Sequence, residues 1–281
     1  MKGQINVLGL CAGYGGFELG LQIAMGARTR LAALCEWDVA CQEVLLSRMA
    51  EGHIPEAPIW DDVKTFPSKA FCGKVDIVTA GYPCQPFSTH GKRLGKHDPR
   101  HLWPSIAKIV KETQAPCMFL ENVEGHLSLG FREVCNDIQS MGFRFAAGMF
   151  TSAQFGATQS RKRLFILAVS DKIAKSAGIE IGDILHIGYG NLCETEEGIS
   201  VHGANGSSGR MDVFPPYPDD SRWKEIIASG KRHEPAFSRM ADGTSRYVDR
   251  QQMLGNGIFP LVAAHAFITL SGALRNGMVQ S

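Results

Sequence analysis

The sequence predicts an α/β fold, a doubly wound and mostly parallel sheet carrying a small loop-rich second domain. Three observations predict it. Short β-rich apolar runs alternate with amphipathic helical stretches as far as about residue 170. That order lapses after Ser170, where Gly, Pro, Asp and Ser crowd the chain. The closing segment GNGIFPLVAAHAFITLSGAL turns apolar and helical again, as a helix returning to the sheet would.

The elements follow in order. INVLGL is the first strand; it ends in Cys11-Ala12-Gly13-Tyr14-Gly15-Gly16 and leads into a helical stretch from Phe17 to Met25. LAALCE is the second, followed by the helical stretch Val39 to Met49, and a third strand is expected to end at Asp61 and Asp62. VDIVTAG is the fourth, CMFLE the fifth, and FRFAAGMF and RLFILAV complete the set, with helices over Ser105 to Thr113 and Glu133 to Met141 between them. Strands alternating with helices at this spacing form βαβ units, whose binding sites lie at the carboxyl ends of the strands. Residues 1–170 and 247–281 are therefore expected to form one domain and residues 171–246 a smaller one with a short helix near Trp223 to Ala228.

A chain of 281 residues with formal charge +1 can bury a full core and is not a polycation that coats nucleic acid by bulk charge. No segment reaches the roughly 18 uncharged apolar residues of a membrane span, and glycines interrupt the apolar N-terminus too soon for a signal peptide, so a cytosolic protein is expected. The 8 cysteines are scattered, without a CxxC pair or a Cys/His cluster at zinc spacing, so neither a metal site nor a disulfide framework is expected.

Glycines at the first strand-to-helix turn let backbone approach a ligand, although a merely tight turn reads the same way. The second strand ends in Glu36, an acid placed to accept ribose hydroxyls, and Trp37 beside it offers a flat face for adenine. Asp62, followed by Val63, could accept from the adenine amino group. Each acid alone could be an ordinary loop residue; three consecutive strand ends favour a nucleoside cofactor. With no GxxxxGK[ST] lysine and no third glycine in dinucleotide register, S-adenosylmethionine suits the turn better than a pyrophosphate-bearing cofactor.

The fourth strand opens into GYPCQPFSTHGKRLGKHDPR, where Cys84 stands between proline and glutamine. The fifth delivers Glu121, then Asn122 and Val123. Gln159-Ser160-Arg161-Lys162-Arg163 precedes the last strand, and alternation sends Arg161 and Arg163 to one side and Lys162 to the other. Two guanidiniums near a thiol lower its pKa and can orient an acceptor-rich base.

These residues resemble the DNA (cytosine-5) methyltransferase family. The matching motifs are LCAGYGGFELGL, EW at Glu36 and Trp37, DDV at Asp61 to Val63, GYPCQPFS with Cys84, ENV at Glu121 to Val123, QSRKR, and LGNGI at Leu254 to Ile258, in the family's order. The resemblance implies a Rossmann-like S-adenosylmethionine-dependent fold with residues 171–246 as target recognition domain. It implies Cys84, Glu121, Arg161 and Arg163 as catalytic residues. The cofactor, released as S-adenosyl-L-homocysteine, would meet Cys11, Ala12, Gly13, Gly15, Gly16, Glu36, Trp37, Asp62, Val63, Asn256 and Gly257. Double-stranded DNA would be the partner, met by Gln85, Ser88, His90, Lys92, Arg93 and Arg100, with a flipped cytosine in the pocket. A monomer in the cytoplasm of a bacterial or phage-infected cell is implied, and a cognate restriction enzyme is an admissible partner.

The pattern thins in places. Residues 171–246 are short for a target recognition domain, as in compact phage or prophage members, and carry more acidic than basic residues. Cys11 stands where an aromatic residue is usual, His90 and Gly257 where serine is common, and Trp103 falls where a loop hinge is expected. Two rival readings are a transfer-RNA cytosine-5 methyltransferase, which uses the same pocket, and a noncatalytic DNA-binding protein on the same scaffold.

Overall fold

A computed structural model describes residues 3–83, 102–128, 130–155, 161–185, 192–195, 198–201 and 257–276. The apolar runs form the expected strands: β1 (Ile5–Leu10), β2 (Thr29–Cys35), β3 (Ile59–Trp60), β4 (Ile77–Gly81), β5 (Cys117–Val123), β6 (Arg144–Thr151) and β7 (Lys162–Val169). They make one sheet in the order β3-β2-β1-β4-β5-β7-β6. Pairing is parallel from β3 across to β5, whereas β7 runs antiparallel to both β5 and β6.

The runs are continuously apolar because both faces of the sheet are covered. In β5, Cys117 and Phe119 enter one core while Met118 and Leu120 enter the other; in β7, Phe165 and Leu167 alternate with Leu164 and Ile166 in the same way. One face is covered by α1 (Gly16–Met25) and α7 (Pro260–Arg275), with Phe17 stacked on Phe119 at 4.8 Å between ring centroids. Gly20 sets the helix-to-helix approach: a Cβ there would lie 2.7 Å from the Cβ of Ala263. The other face receives α3 (Trp103–Thr113) and α4 (Phe131–Ser140), which bury Ile106, Ile109, Val134 and Ile138. Beyond β2, α2 (Val39–Ala50) is started by Asp38, whose Oδ1 accepts from the backbone N–H of Ala40 at 2.8 Å and of Cys41 at 3.3 Å.

α5 (Asp171–Ser176) and α6 (Ile181–Ile184) follow β7, and Ala174, Ile181, Ile184 and Leu185 are buried in the α1–α7 core. The periodicity missed them because elements this short hold too few apolar positions to show a period. Trp103 opens α3 with Pro104 behind it, is buried, and its Nε1 donates to Asp137 Oδ2 at 2.8 Å. The remaining short pair, β8 (Leu192–Thr195) and β9 (Gly198–Val201), is an antiparallel ladder.

Among the described residues no helix is long and apolar enough to cross a membrane.

Candidate active site

The parallel strands end at one edge, and their endings build two adjoining clusters. The first begins with the glycine turn. Cys11, Gly13 and Gly15 have φ of 52°, 56° and 82°, in the left-handed region where glycine is favoured. The turn uses several of its own donors: Ala12 N–H donates to the Cys35 carbonyl at 3.1 Å and Gly15 N–H to the Ala12 carbonyl at 2.9 Å. Gly13 N–H donates to Glu36 Oε2 at 2.7 Å, and Asp38 N–H donates to Glu36 Oε1 at 2.9 Å. Burial raises the Glu36 pKa, and these backbone donors work against the rise. The carboxylate is thus held by the backbone of the turn while it faces the cavity.

In front of Glu36 lies a cavity of about 450 Å³, lined by Cys11, Cys35, Glu36, Trp37, Asp61, Asp62, Val63, Lys64, Pro83 and Leu102. Trp37 is 74% exposed at its rim. Asp62 Oδ1 accepts from Lys64 N–H at 2.9 Å, which fixes the carboxylate at the turn after β3. Of the expected cofactor residues, Cys11, Glu36, Trp37, Asp62 and Val63 line this cavity. Ala12, Gly13, Gly15 and Gly16 stand behind it, shaping the turn, and Gly257 packs against Tyr14.

The second cluster centres on Glu121, which pairs with Gly81 across the parallel β4–β5 ladder. Glu121 is 6% exposed, and burial pushes its pKa up to about 7 against the pull of Arg163 and Arg161. Arg163 Nε lies 2.8 Å from Glu121 Oε1. Arg161 is half-buried, its N–H donates to Ser152 Oγ at 3.1 Å, and burial lowers its pKa, with Arg163 adding to the effect. Lys162 points away and pairs with Glu124 at 3.7 Å, as alternation requires. The direction of β7 makes this cluster possible. Arg163 lies opposite Val123 because β7 enters at the edge where β5 leaves; a parallel β7 would start at the far edge of the sheet.

Pro83 is the last described residue before Cys84, and it lies on the cavity wall. Tyr82 is fastened three ways: its carbonyl accepts from Asn122 Nδ2 at 3.2 Å, its hydroxyl meets His126 Nε2 at 3.3 Å, and its ring lies 6.0 Å from that of Trp103. Cys84, Gln85, Ser88, His90, Lys92, Arg93, Arg100 and Asn256 lie outside the described residues.

An acid with a raised pKa, two arginines and a nucleoside-sized cavity thus share one sheet edge with the stem of a cysteine-bearing segment. The family model of C-5 cytosine-specific DNA methylases matches residues 5–192. The chain belongs to the C-5 cytosine-specific DNA methylase family.

Two relatives give the scale of the likeness. The type II methyltransferase M.NgoMIV of Neisseria gonorrhoeae is 33% identical over 177 residues, 60% of this chain and 53% of that protein. M.HhaI of Haemophilus parahaemolyticus is 34% identical over 169 residues, 58% of this chain and 48% of that protein. The chain spans about half the length of the curated relatives it matches. In fold it matches a mutant DNMT2 of Spodoptera frugiperda with TM-score 0.50 and 21% identity, over 60% of this chain and 50% of the other.

Within this methylase fold, sequence reasoning missed several residues. Leu102 closes the cavity from the start of α3, signalled only as the apolar residue before WPSIAKIV. Asn122 was visible within ENV, but its grip on Tyr82 was not, since that bond joins residues 40 positions apart. Tyr14 and Arg48 belong to the same group: Arg48 Nη1 donates to the Tyr14 carbonyl at 2.6 Å.

Proposed function

We propose that this chain is an S-adenosylmethionine-dependent DNA (cytosine-5) methyltransferase acting on double-stranded DNA. The observation that carries the reading is Glu121, a buried acid whose pKa stands at about 7, beside Arg163 at the edge where Pro83 leads into Cys84.

The cavity fits the cofactor. Its size falls within the ordinary range of ligand pockets, about 300–1,000 Å³, and its polar groups fall where a nucleoside needs them. Glu36 would take the ribose hydroxyls, Asp62 and Val63 the adenine edge, and Trp37 its face; Cys11, the glycine turn, Asn256 and Gly257 would enclose the amino-acid end. When bound, S-adenosyl-L-methionine supplies an electrophilic methyl group on a sulfonium and leaves as S-adenosyl-L-homocysteine.

The protein's part is to make C5 of cytosine nucleophilic. The Cys84 thiolate forms a bond to C6, which turns the C5–C6 π pair toward C5. Charge pushed into the ring reaches N3 and O2. Glu121 gives its proton to N3, and Arg161 and Arg163 face the developing charge near O2. C5 takes the methyl group. Its proton then passes to a base, water among the candidates; the C6–sulfur bond breaks, the thiolate returns and Glu121 recovers its proton. Burial raises the Glu121 pKa into the neutral range, which suits an acid that must give and regain a proton.

A base inside a stacked duplex cannot reach Cys84, so the target cytosine is flipped out at a cost of a few kcal/mol. Gln85, Ser88, His90, Lys92, Arg93 and Arg100 are the residues of this chain assigned to DNA contact. Residues 186–246 serve as the target recognition domain, and 171–185 belong with the catalytic unit because their apolar side chains enter its core. The enzyme works as a monomer in the cytoplasm of a bacterial or phage-infected cell.

The test is methyl transfer from labelled cofactor to duplex DNA and, in parallel, to transfer RNA. Transfer to DNA, its abolition by Cys84→Ala, and covalent trapping of the wild type on 5-fluorocytosine DNA are expected. Undiminished turnover by Cys84→Ala would sink the mechanism, and activity on transfer RNA alone would overturn the substrate.

A further inference from the structure

Tyr14 stands inside the glycine turn, buried and apart from the cavity wall. Its hydroxyl donates to the Ile258 carbonyl at 2.8 Å, and the Arg48 guanidinium lies 5.9 Å from its ring centroid while donating to its carbonyl. The segment it grips is the entry to α7. A Cβ on Gly257 would lie 1.6 Å from Tyr14 Cε1, and a Cβ on Gly16 would lie 2.1 Å from the Ile258 carbonyl oxygen. A Cβ on Gly81 would meet Ile258 Cδ1 at 2.7 Å and Glu121 Oε2 at 3.5 Å. Three positions therefore dispense with side chains so that Tyr14 and Ile258 can interlock between the glycine turn, the end of β4 and the entry to α7. Glycine at 257, a departure from the family pattern, is the counterpart of the ring at 14.

We infer that Tyr14 is a positioning residue, which locks residues 257 and 258 against the glycine turn and Gly81 and thereby sets the cofactor cavity in register with the Glu121 cluster. The inference rests on the cofactor reading proposed above. It differs from ordinary packing in what it predicts: the ring and residue 257 act as one unit, and disturbing that unit changes cofactor binding.

The experiment is a double-mutant cycle on the full chain. Affinity for S-adenosyl-L-homocysteine is read by quenching of tryptophan fluorescence, and each variant is also unfolded in urea. Tyr14→Phe, which loses only the hydroxyl, weakens binding about fivefold, with the loss falling on KM for the cofactor more than on kcat. Gly257→Ser weakens binding about thirtyfold when the ring is present, because the serine Cβ has no room. Added to Tyr14→Leu, the same change costs no more than about threefold. Equal cost of Gly257→Ser in both backgrounds overturns the inference. So does coupling in urea unfolding with none in binding, since that would reduce Tyr14 to packing. A wild type that binds no S-adenosyl-L-homocysteine overturns both the cofactor reading and the positioning role that rests on it. Binding without coupling overturns only the latter.

Discussion

Glu36 and Glu121 stand at the ends of β2 and β5, with β1 and β4 between them, and burial raises the pKa of both, yet they are held in opposite ways. Glu36 is gripped by backbone N–H groups, those of Gly13 and Asp38 among them, so its charge is stabilised by donors the backbone itself provides. Glu121 is faced by a guanidinium from another strand and remains poised near neutrality. Backbone donors suit a carboxylate that must stay an acceptor. A side-chain cation opposing strong burial suits one that must exchange a proton.

Four measurements would break or sharpen this contrast. Glu121→Gln should lower the single-turnover rate of methyl transfer about a thousandfold, within the range of general acid loss, while cofactor affinity changes by less than about threefold. Glu36→Gln should do the reverse: affinity for S-adenosyl-L-homocysteine falls about thirtyfold, since one backbone donor or one ribose hydroxyl loses its acceptor, and the saturated rate changes much less. A Glu36→Gln variant whose saturated rate collapses would erase the distinction.

Third in size is a pH effect, about tenfold per unit. Glu121 works protonated, and its pKa in the fold is about 7. The acid form is therefore present below that value and lost above it, so single-turnover rates should decline on the alkaline side with a midpoint near 7. Glu121→Gln should remove that limb, and Glu36→Gln should leave it in place. The smallest effect belongs to the stem of the cysteine segment. Tyr82→Phe loses the contact with His126 and should slow transfer about threefold, with cofactor binding unchanged by fluorescence titration.

The two clusters also differ in how far the sequence announced them. Glu36 and Asp62 were legible because each ends a strand whose apolar run is local and whose partner motif lies within one βαβ unit. The alternating apolar runs likewise gave the sheet, since strands buried on both faces are written as unbroken Val, Ile, Leu and Phe. Those runs carry no direction. RLFILAV reads the same for a parallel or an antiparallel strand, so the reversal of β7 that carries Arg163 to Glu121 could be seen only in the fold. Asn122 holding Tyr82 and Tyr14 holding Ile258 were hidden for a related reason, because each bond joins distant residues of unremarkable type. Residues 171–185 escaped because their helices are too short to show a period.

The pairing of α1 with α7 has a consequence for the order in which the protein is made. Tyr14 and Ile258, which fasten the two regions together, are 244 positions apart. At roughly 5–20 residues per second, a ribosome needs on the order of 10–50 s to cover that distance. Throughout that interval Leu21 and Ala24, which end in the α1–α7 core, wait for the helix that covers them. The glycine turn is thus completed only after the segment carrying Ile258 has been made, 244 positions later. The nascent chain must keep one apolar flank out of unproductive contacts until α7 emerges to cover it.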